Sequence, residues 1–131
     1  MKDYNKLIFY TLIILFIILE SCNSERKEVI VYVSVDRIYA EPILEKFEKE
    51  SGIKVLAVYD VEAAKTTGLV NRLIAERRNP QADVFWNGEF AQTIRLKEED
   101  VLSPYVSKNA IDIPEKFKDP DKRWTGFCGN A

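Results

Sequence analysis

The sequence predicts an α/β protein with a mostly parallel sheet flanked by helices. Three observations carry that expectation. Residues 29–35 (VIVYVSV), 53–59 (IKVLAVY) and 82–86 (ADVFW) are short apolar runs rich in β-branched and aromatic side chains, which suit strands covered on both faces. Each run is followed by a polar loop and then by apolar residues at helical spacing. The helical stretches stop at Ser51-Gly52 and Asn79-Pro80, so the connections are short. The order β-α-β-α-β-α with short connections implies parallel strands and right-handed crossovers.

In the first unit, residues 29–35 form the strand and Ser34-Val35-Asp36-Arg37 the loop. A helix is expected from near Glu41-Pro42, since proline is tolerated in a first turn. Its apolar stripe is Ile43, Leu44 and Phe47, and its wet side carries Glu41, Glu45, Lys46, Glu48, Lys49 and Glu50. Gly52 can supply a left-handed cap. In the second unit the loop is 60–67 (DVEAAKTT), with Thr67 as a candidate N-cap. Its helix buries Leu69, Val70, Leu73 and Ile74, and turns Arg72, Glu76, Arg77 and Arg78 to water. The third unit runs from strand 82–86 through Asn87-Gly88-Glu89 to a helix bearing Phe90, Ile94 and Leu96, with Asn87 a candidate cap. Beyond Lys97 the pattern weakens to a turn at 102–105 and a loop over 107–121. Residues 124–127 have the composition to begin a fourth strand, and the tail 128–131 is expected to mark a break in a longer protein.

The chain has 131 residues, 47% hydrophobic and 31% charged, with a formal net charge of -2. That is globular composition, and without an excess of Lys and Arg it gives no electrostatic case for nucleic acid. The length suits one modest domain, expected to bury roughly two-thirds of its unfolded surface. There is no histidine. A Ser-His or Cys-His pair and the commonest metal ligand are therefore absent. Cys22 and Cys128 have no metal-ligand spacing.

The first residues read as a secretory leader. Lys2 and Lys6 form a basic n-region, and residues 7–19 are apolar except for Thr11. That run fits a signal core and is shorter than a membrane span. Leu19-Glu20-Ser21-Cys22 resembles the lipobox of bacterial lipoproteins, in which the cysteine is lipidated. The division expected is a signal peptide over 1–21, a polar tether over 22–28, a folded part over 29–127 and a divergent tail over 128–131.

EPILEKFEKESGIKV, KTTGLVNRLIAERRNPQADVFWNGEFAQTIRLKEEDVLSPY and IPEKFKDPDKRWTGF, in that order, are similar to the start of bacterial extracellular solute-binding proteins of the ferric-iron-binding type. The resemblance implies a type II periplasmic binding protein, in which two α/β lobes close over a ligand, and this chain would supply an incomplete first lobe. It also implies an ABC importer permease and ATPase as partners, and Fe3+ as a transported ligand rather than a covalent cofactor. Iron-binding members hold metal largely through a tyrosine pair from later in the chain, which this chain lacks. Some use a histidine after the first strand, where this chain has Ser34-Val35-Asp36. Some use a glutamate after the third strand, for which Glu89 is the nearest match.

Parallel strands would bring the three loops to one sheet edge. The candidate ligand-binding residues are Ser34, Asp36 and Tyr39 from the first loop and helix, Lys65, Thr66 and Thr67 from the second, and Asn87 and Glu89 from the third. Asp36 and Glu89 are the candidate metal ligands, since carboxylates suit hard cations. Lys65-Thr66-Thr67 before Gly68 has the hydroxyls, cation and helix-start amides of an anion site. The bland alternatives are loop capping by Ser34, Asp36, Thr67 and Asn87, and complementing of the helix dipole by Glu89.

Three functions follow. The first is a substrate-binding lipoprotein of an ABC importer, for ferric iron or an organic anion such as a phosphonate, lacking a complete site in this chain. The second is a small hydrolase using Asp36, Asp60 and Glu89, which the missing histidine, nucleophile elbow and phosphate-binding glycine loop argue against. The third is the non-functional product of a damaged gene.

Overall fold

A computed structural model describes residues 27–60 and 67–127. The expected leader, most of the tether, Cys22, Lys65, Thr66 and the tail 128–131 lie outside the described residues. The elements are β1 (Glu28–Val33), α1 (Arg37–Ser51), β2 (Lys54–Tyr59), α2 (Thr67–Glu76), β3 (Val84–Trp86) and α3 (Phe90–Glu98). Two 3-10 turns follow, Lys108–Ala110 and Glu115–Phe117.

The sheet order is β2-β1-β3, and both pairings are parallel. The uncharged core of the first apolar run occupies the centre, as its composition requires. Side chains alternate across a strand, so β1 feeds two cores. Tyr32 packs with Leu69, Val70, Leu73 and Leu96 from α2 and α3. Val31 and Val33 pack with Ala40, and with half-buried Leu44, on α1. Thus α1 lies on one face and α2 and α3 on the other. The chain steps from β1 outward to β2, then back past β1 to β3. With right-handed crossovers, that reversal of direction requires opposite faces for α1 and α2.

Several boundaries differ from the sequence expectation. β1 stops at Val33, because Ser34 and Val35 turn toward α1. α1 starts at Arg37, not near Glu41-Pro42, and Pro42 lies inside it. The Asp36 carbonyl accepts from the amides of Tyr39 and Ala40, so the first turn closes before the proline, which forgoes one helical donor and crowds the carbonyl of Ile38 four residues before it. Ala40 and Leu44 are the sheet-facing ridge. Ile43 and Phe47 are 55% and 44% exposed, so they do not form the buried stripe. Glu48 is not merely wet: its carboxylate accepts from Val55 N at 2.8 Å, satisfying an amide on the outer strand β2. The glycine stop is as expected, with Gly52 at φ 69° and its N–H donated to the Glu48 carbonyl. Residues 124–127 add no strand to the sheet; Thr125 makes only an isolated antiparallel bridge with Lys118.

The segment after α3 is held by charge. Lys97 Nζ reaches Asp119 Oδ1 at 2.6 Å and Asp121 Oδ2 at 2.7 Å. Asp119 also accepts from Arg123 N at 3.1 Å. Arg123 in turn pairs with Asp100.

Candidate functional site at the carboxyl edge of the sheet

In the sheet register, Val33 lies opposite both Tyr59 and Trp86. The three strands therefore end level, and their loops leave from one edge. Strands β1 and β3 are neighbours, yet the loop after β1 leads to α1 on one face and the loop after β3 to α3 on the other. Where two such loops diverge, an open α/β sheet ordinarily places its ligand crevice, outside the strand ends.

The crevice floor is tied across. Ser34 N donates to the Trp86 carbonyl at 3.0 Å, and Ser34 Oγ donates to Asn87 Oδ1 at 3.0 Å. The Asn87 side chain makes four hydrogen bonds at the rim. Its Oδ1 also accepts from Glu89 N at 2.9 Å. Its Nδ2 donates to the Glu89 carbonyl at 2.6 Å and to Thr93 Oγ1 at 2.9 Å. Asn87 stands two residues ahead of Glu89, the N-cap residue of α3, and so braces the loop rather than capping from the N-cap position itself.

The two carboxylates sit at the starts of their helices. Asp36 is the N-cap residue of α1 and Glu89 that of α3; neither side chain makes a capping hydrogen bond, and both residues are exposed. Each carboxylate lies where a helix start presents positive potential. Tyr39, on the first turn of α1, is 67% exposed. Among the described residues, no group of three or more acidic or cysteine side chains is gathered to hold a metal ion.

At the second loop, Asp60 N donates to the Val33 carbonyl at 3.3 Å. The Asp60 carboxylate accepts from Leu69 N at 3.3 Å. Thr67 is the first residue of α2 rather than its cap, and Asp60 serves the helix start instead. A side chain at Gly68 would place its Cβ 2.7 Å from Asp60 Oδ1, so glycine admits this approach. Sequence reasoning passed over Asp60 as a structural residue, although its position before a Thr-Gly helix start was the available signal. Thr93 was also missed; its spacing from Asn87 puts it one turn into α3.

Beside the crevice, along β3, lies a cleft of about 1100 Å³. Phe90 meets Trp124 edge-to-face at 5.1 Å between centroids, and Trp86 meets Phe127 at 6.3 Å. Trp124 thus packs against the first residue of α3.

No family model matches the chain. Iron uptake protein A1 of Synechocystis is 29% identical over 109 residues, which is 82% of this chain and 29% of that protein. A protein named a probable ABC transporter periplasmic-binding protein, of Sinorhizobium fredii, is 42% identical over 53 residues, 40% of this chain and 15% of that protein. Among solved structures, apo ferric ion-binding protein A of Pasteurella haemolytica matches with a TM-score of 0.66 and 31% identity, over 76% of this chain and 30% of that one. The periplasmic binding protein AfuA of Actinobacillus pleuropneumoniae, with fructose-6-phosphate bound, matches with a TM-score of 0.62 and 26% identity, over 73% of this chain and 29% of that one. The chain therefore spans less than a third of the length of these proteins. Within that span it has the fold of a partial periplasmic-binding-protein lobe, and in sequence and structure it resembles the ferric-iron-binding type of bacterial solute-binding protein.

Proposed function

We propose that this chain contributes the ligand-facing rim of one lobe of an extracytoplasmic, substrate-binding component of an ABC importer. Ferric iron is the cargo that the resemblance to ferric-ion-binding proteins favours. The single observation that carries the reading is the level ending of three parallel strands, with Asp36 and Glu89 at the starts of diverging helices beside one crevice. Carboxylate oxygens are hard donors suited to a small, highly charged cation. Two carboxylates leave most of a coordination sphere to other donors, so an opposed lobe would have to complete it. The protein binds and releases its cargo without covalent chemistry. Its partners would be a permease and an ATPase, with lipidated Cys22 holding it to the membrane.

A second reading takes a phosphate-bearing anion as cargo. It is favoured by the likeness to AfuA with its bound sugar phosphate, and by the sequence Lys65-Thr66 directly before Thr67, the first residue of α2, since helix-start amides attract anions.

Calorimetric titration of the chain with ferric citrate and with fructose-6-phosphate tests both. The expected result is saturable binding weaker than micromolar, lost in Asp36→Asn with Glu89→Gln for iron, or in Lys65→Ala for the sugar phosphate. Submicromolar affinity would contradict the need for a second lobe. Saturable binding of either ligand that is unchanged in these variants would remove the reading.

A further inference from the structure

We infer that Asn87 is a positioning residue: it sets the mouth of the crevice by locking the loop after β1 to the loop after β3. The inference rests on the reading of this rim as the ligand site, and it gives Asn87 a role different from direct ligand contact.

The argument is one of hydrogen-bonding capacity and topology. A primary amide offers two donor hydrogens and one oxygen with two lone pairs. In Asn87 the oxygen accepts from Ser34 Oγ and Glu89 N, and the nitrogen donates to the Glu89 carbonyl and Thr93 Oγ1. All four places are filled by protein groups. A ligand contact to this amide would have to displace one of them. Three of the four bonds stay within the β3–α3 connection and the start of α3, and one crosses to Ser34, directly after β1. That single crossing bond matters because the two loops part immediately beyond it, toward opposite faces of the sheet. The backbone ladder ends at the same point, with Ser34 N on the Trp86 carbonyl. Beyond that bond the Ser34 hydroxyl faces two acceptors across the gap, Asn87 Oδ1 at 3.0 Å and the Trp86 carbonyl at 3.4 Å, and the shorter contact is the next tie between the two connections. Asp36 lies two residues past Ser34, and Glu89 two residues past Asn87. The separation of the two carboxylates is therefore governed by this tie. A residue that only braced the start of α3 would need no partner on β1.

Amide hydrogen exchange of the unliganded chain tests the inference apart from any ligand, so its failure would leave the proposed cargo untouched, and failure of the titration would leave this tie untouched. The variants are Asn87→Ala, Asn87→Asp and Ser34→Ala, each with its denaturation midpoint measured alongside. A lost hydrogen bond of about 1 kcal/mol corresponds to exchange about fivefold faster. In Asn87→Ala the Ser34 amide is expected to exchange about fivefold faster after correction for global stability. In Ser34→Ala the Glu89 amide is expected to respond in the same direction. Asn87→Asp keeps an oxygen for Ser34 but sets a carboxylate oxygen against the Glu89 carbonyl, so Ser34 is expected to keep more protection than in Asn87→Ala while residues 89–93 exchange faster. If Asn87→Ala loosens only residues 89–93 and leaves Ser34 unchanged, Asn87 is a brace for α3 alone and the inference is overturned. Should Asn87→Ala fail to fold, the response of Glu89 in Ser34→Ala decides the matter in the same way.

Discussion

Tyr32 is 1% exposed, and its phenol oxygen still has to be satisfied. It donates to both oxygens of Glu76, at 3.0 and 3.2 Å, while the Arg72 guanidinium lies 4.7 Å above its ring. Burial first, and the bond to Glu76 second, push the phenol above its ordinary pKa. Tyr32→Phe removes the donor and leaves Glu76 to Arg72, so a loss of about 1 kcal/mol in denaturant unfolding is expected. Asp119 is the buried acid among the described residues, at 5% exposure. Burial pushes its carboxyl up, but the bonds from Lys97 and from Arg123 N outweigh that and hold it below its usual value. A depressed carboxyl stabilises the fold above the unfolded value of about 4 and loses that contribution as pH falls through the folded one. Asp119→Asn should therefore lower the thermal midpoint at neutral pH and flatten its decline on acidification. An unchanged acid limb would show that Asp119 does not govern it. Neither residue's partners were legible in the sequence. Glu76 reads as a solvent-facing helix residue by periodicity, and no period exists after Lys97 to place Asp119 against it.

At the scale of elements, every strand and helix through α3 was legible, because short, nearly continuous apolar runs alternate with helical stripes. What the sequence left open was which helical ridge meets the sheet. In α1 both 40–44 and 43–47 are ridges of adequate spacing; the expected stripe of Ile43, Leu44 and Phe47 shares Leu44 with the observed one and lacks Ala40. The sheet takes Ala40 and Leu44 because a helix lying close over Val31 and Val33 needs a small residue at the contact. Helix ends were legible only where backbone geometry demands a residue type. Gly52 is such a place, at φ 69°, and Gly52→Ala is expected to destabilise by about 1 kcal/mol by forcing a side chain into the left-handed region. Leu96 joins α3 to the Tyr32 core with no exposed surface. Leu96→Ala should cost about 2–5 kcal/mol in urea unfolding, the range for a fully buried leucine. A loss below about 1 kcal/mol would mean that α3 does not pack against this core.

For the whole molecule, the account depends on direction. Strand direction was legible from the short connections, which allow crossovers but no meander. Strand order was not, since β2 and β3 could flank β1 or lie on one side of it with the same local sequence. The observed order puts a reversal at β1, and with it a crevice between the loops bearing Asp36 and Glu89. The most direct test is a nitrogen-15 correlation NMR titration with gallium(III) citrate, a diamagnetic stand-in for ferric iron. The account predicts shift changes confined to the carboxyl edge, at residues 34–37, 60–67 and 87–89, with the opposite edge at 27–28, 53–54 and 80–83 unmoved. Changes centred on that opposite edge, or spread evenly over both, would contradict it.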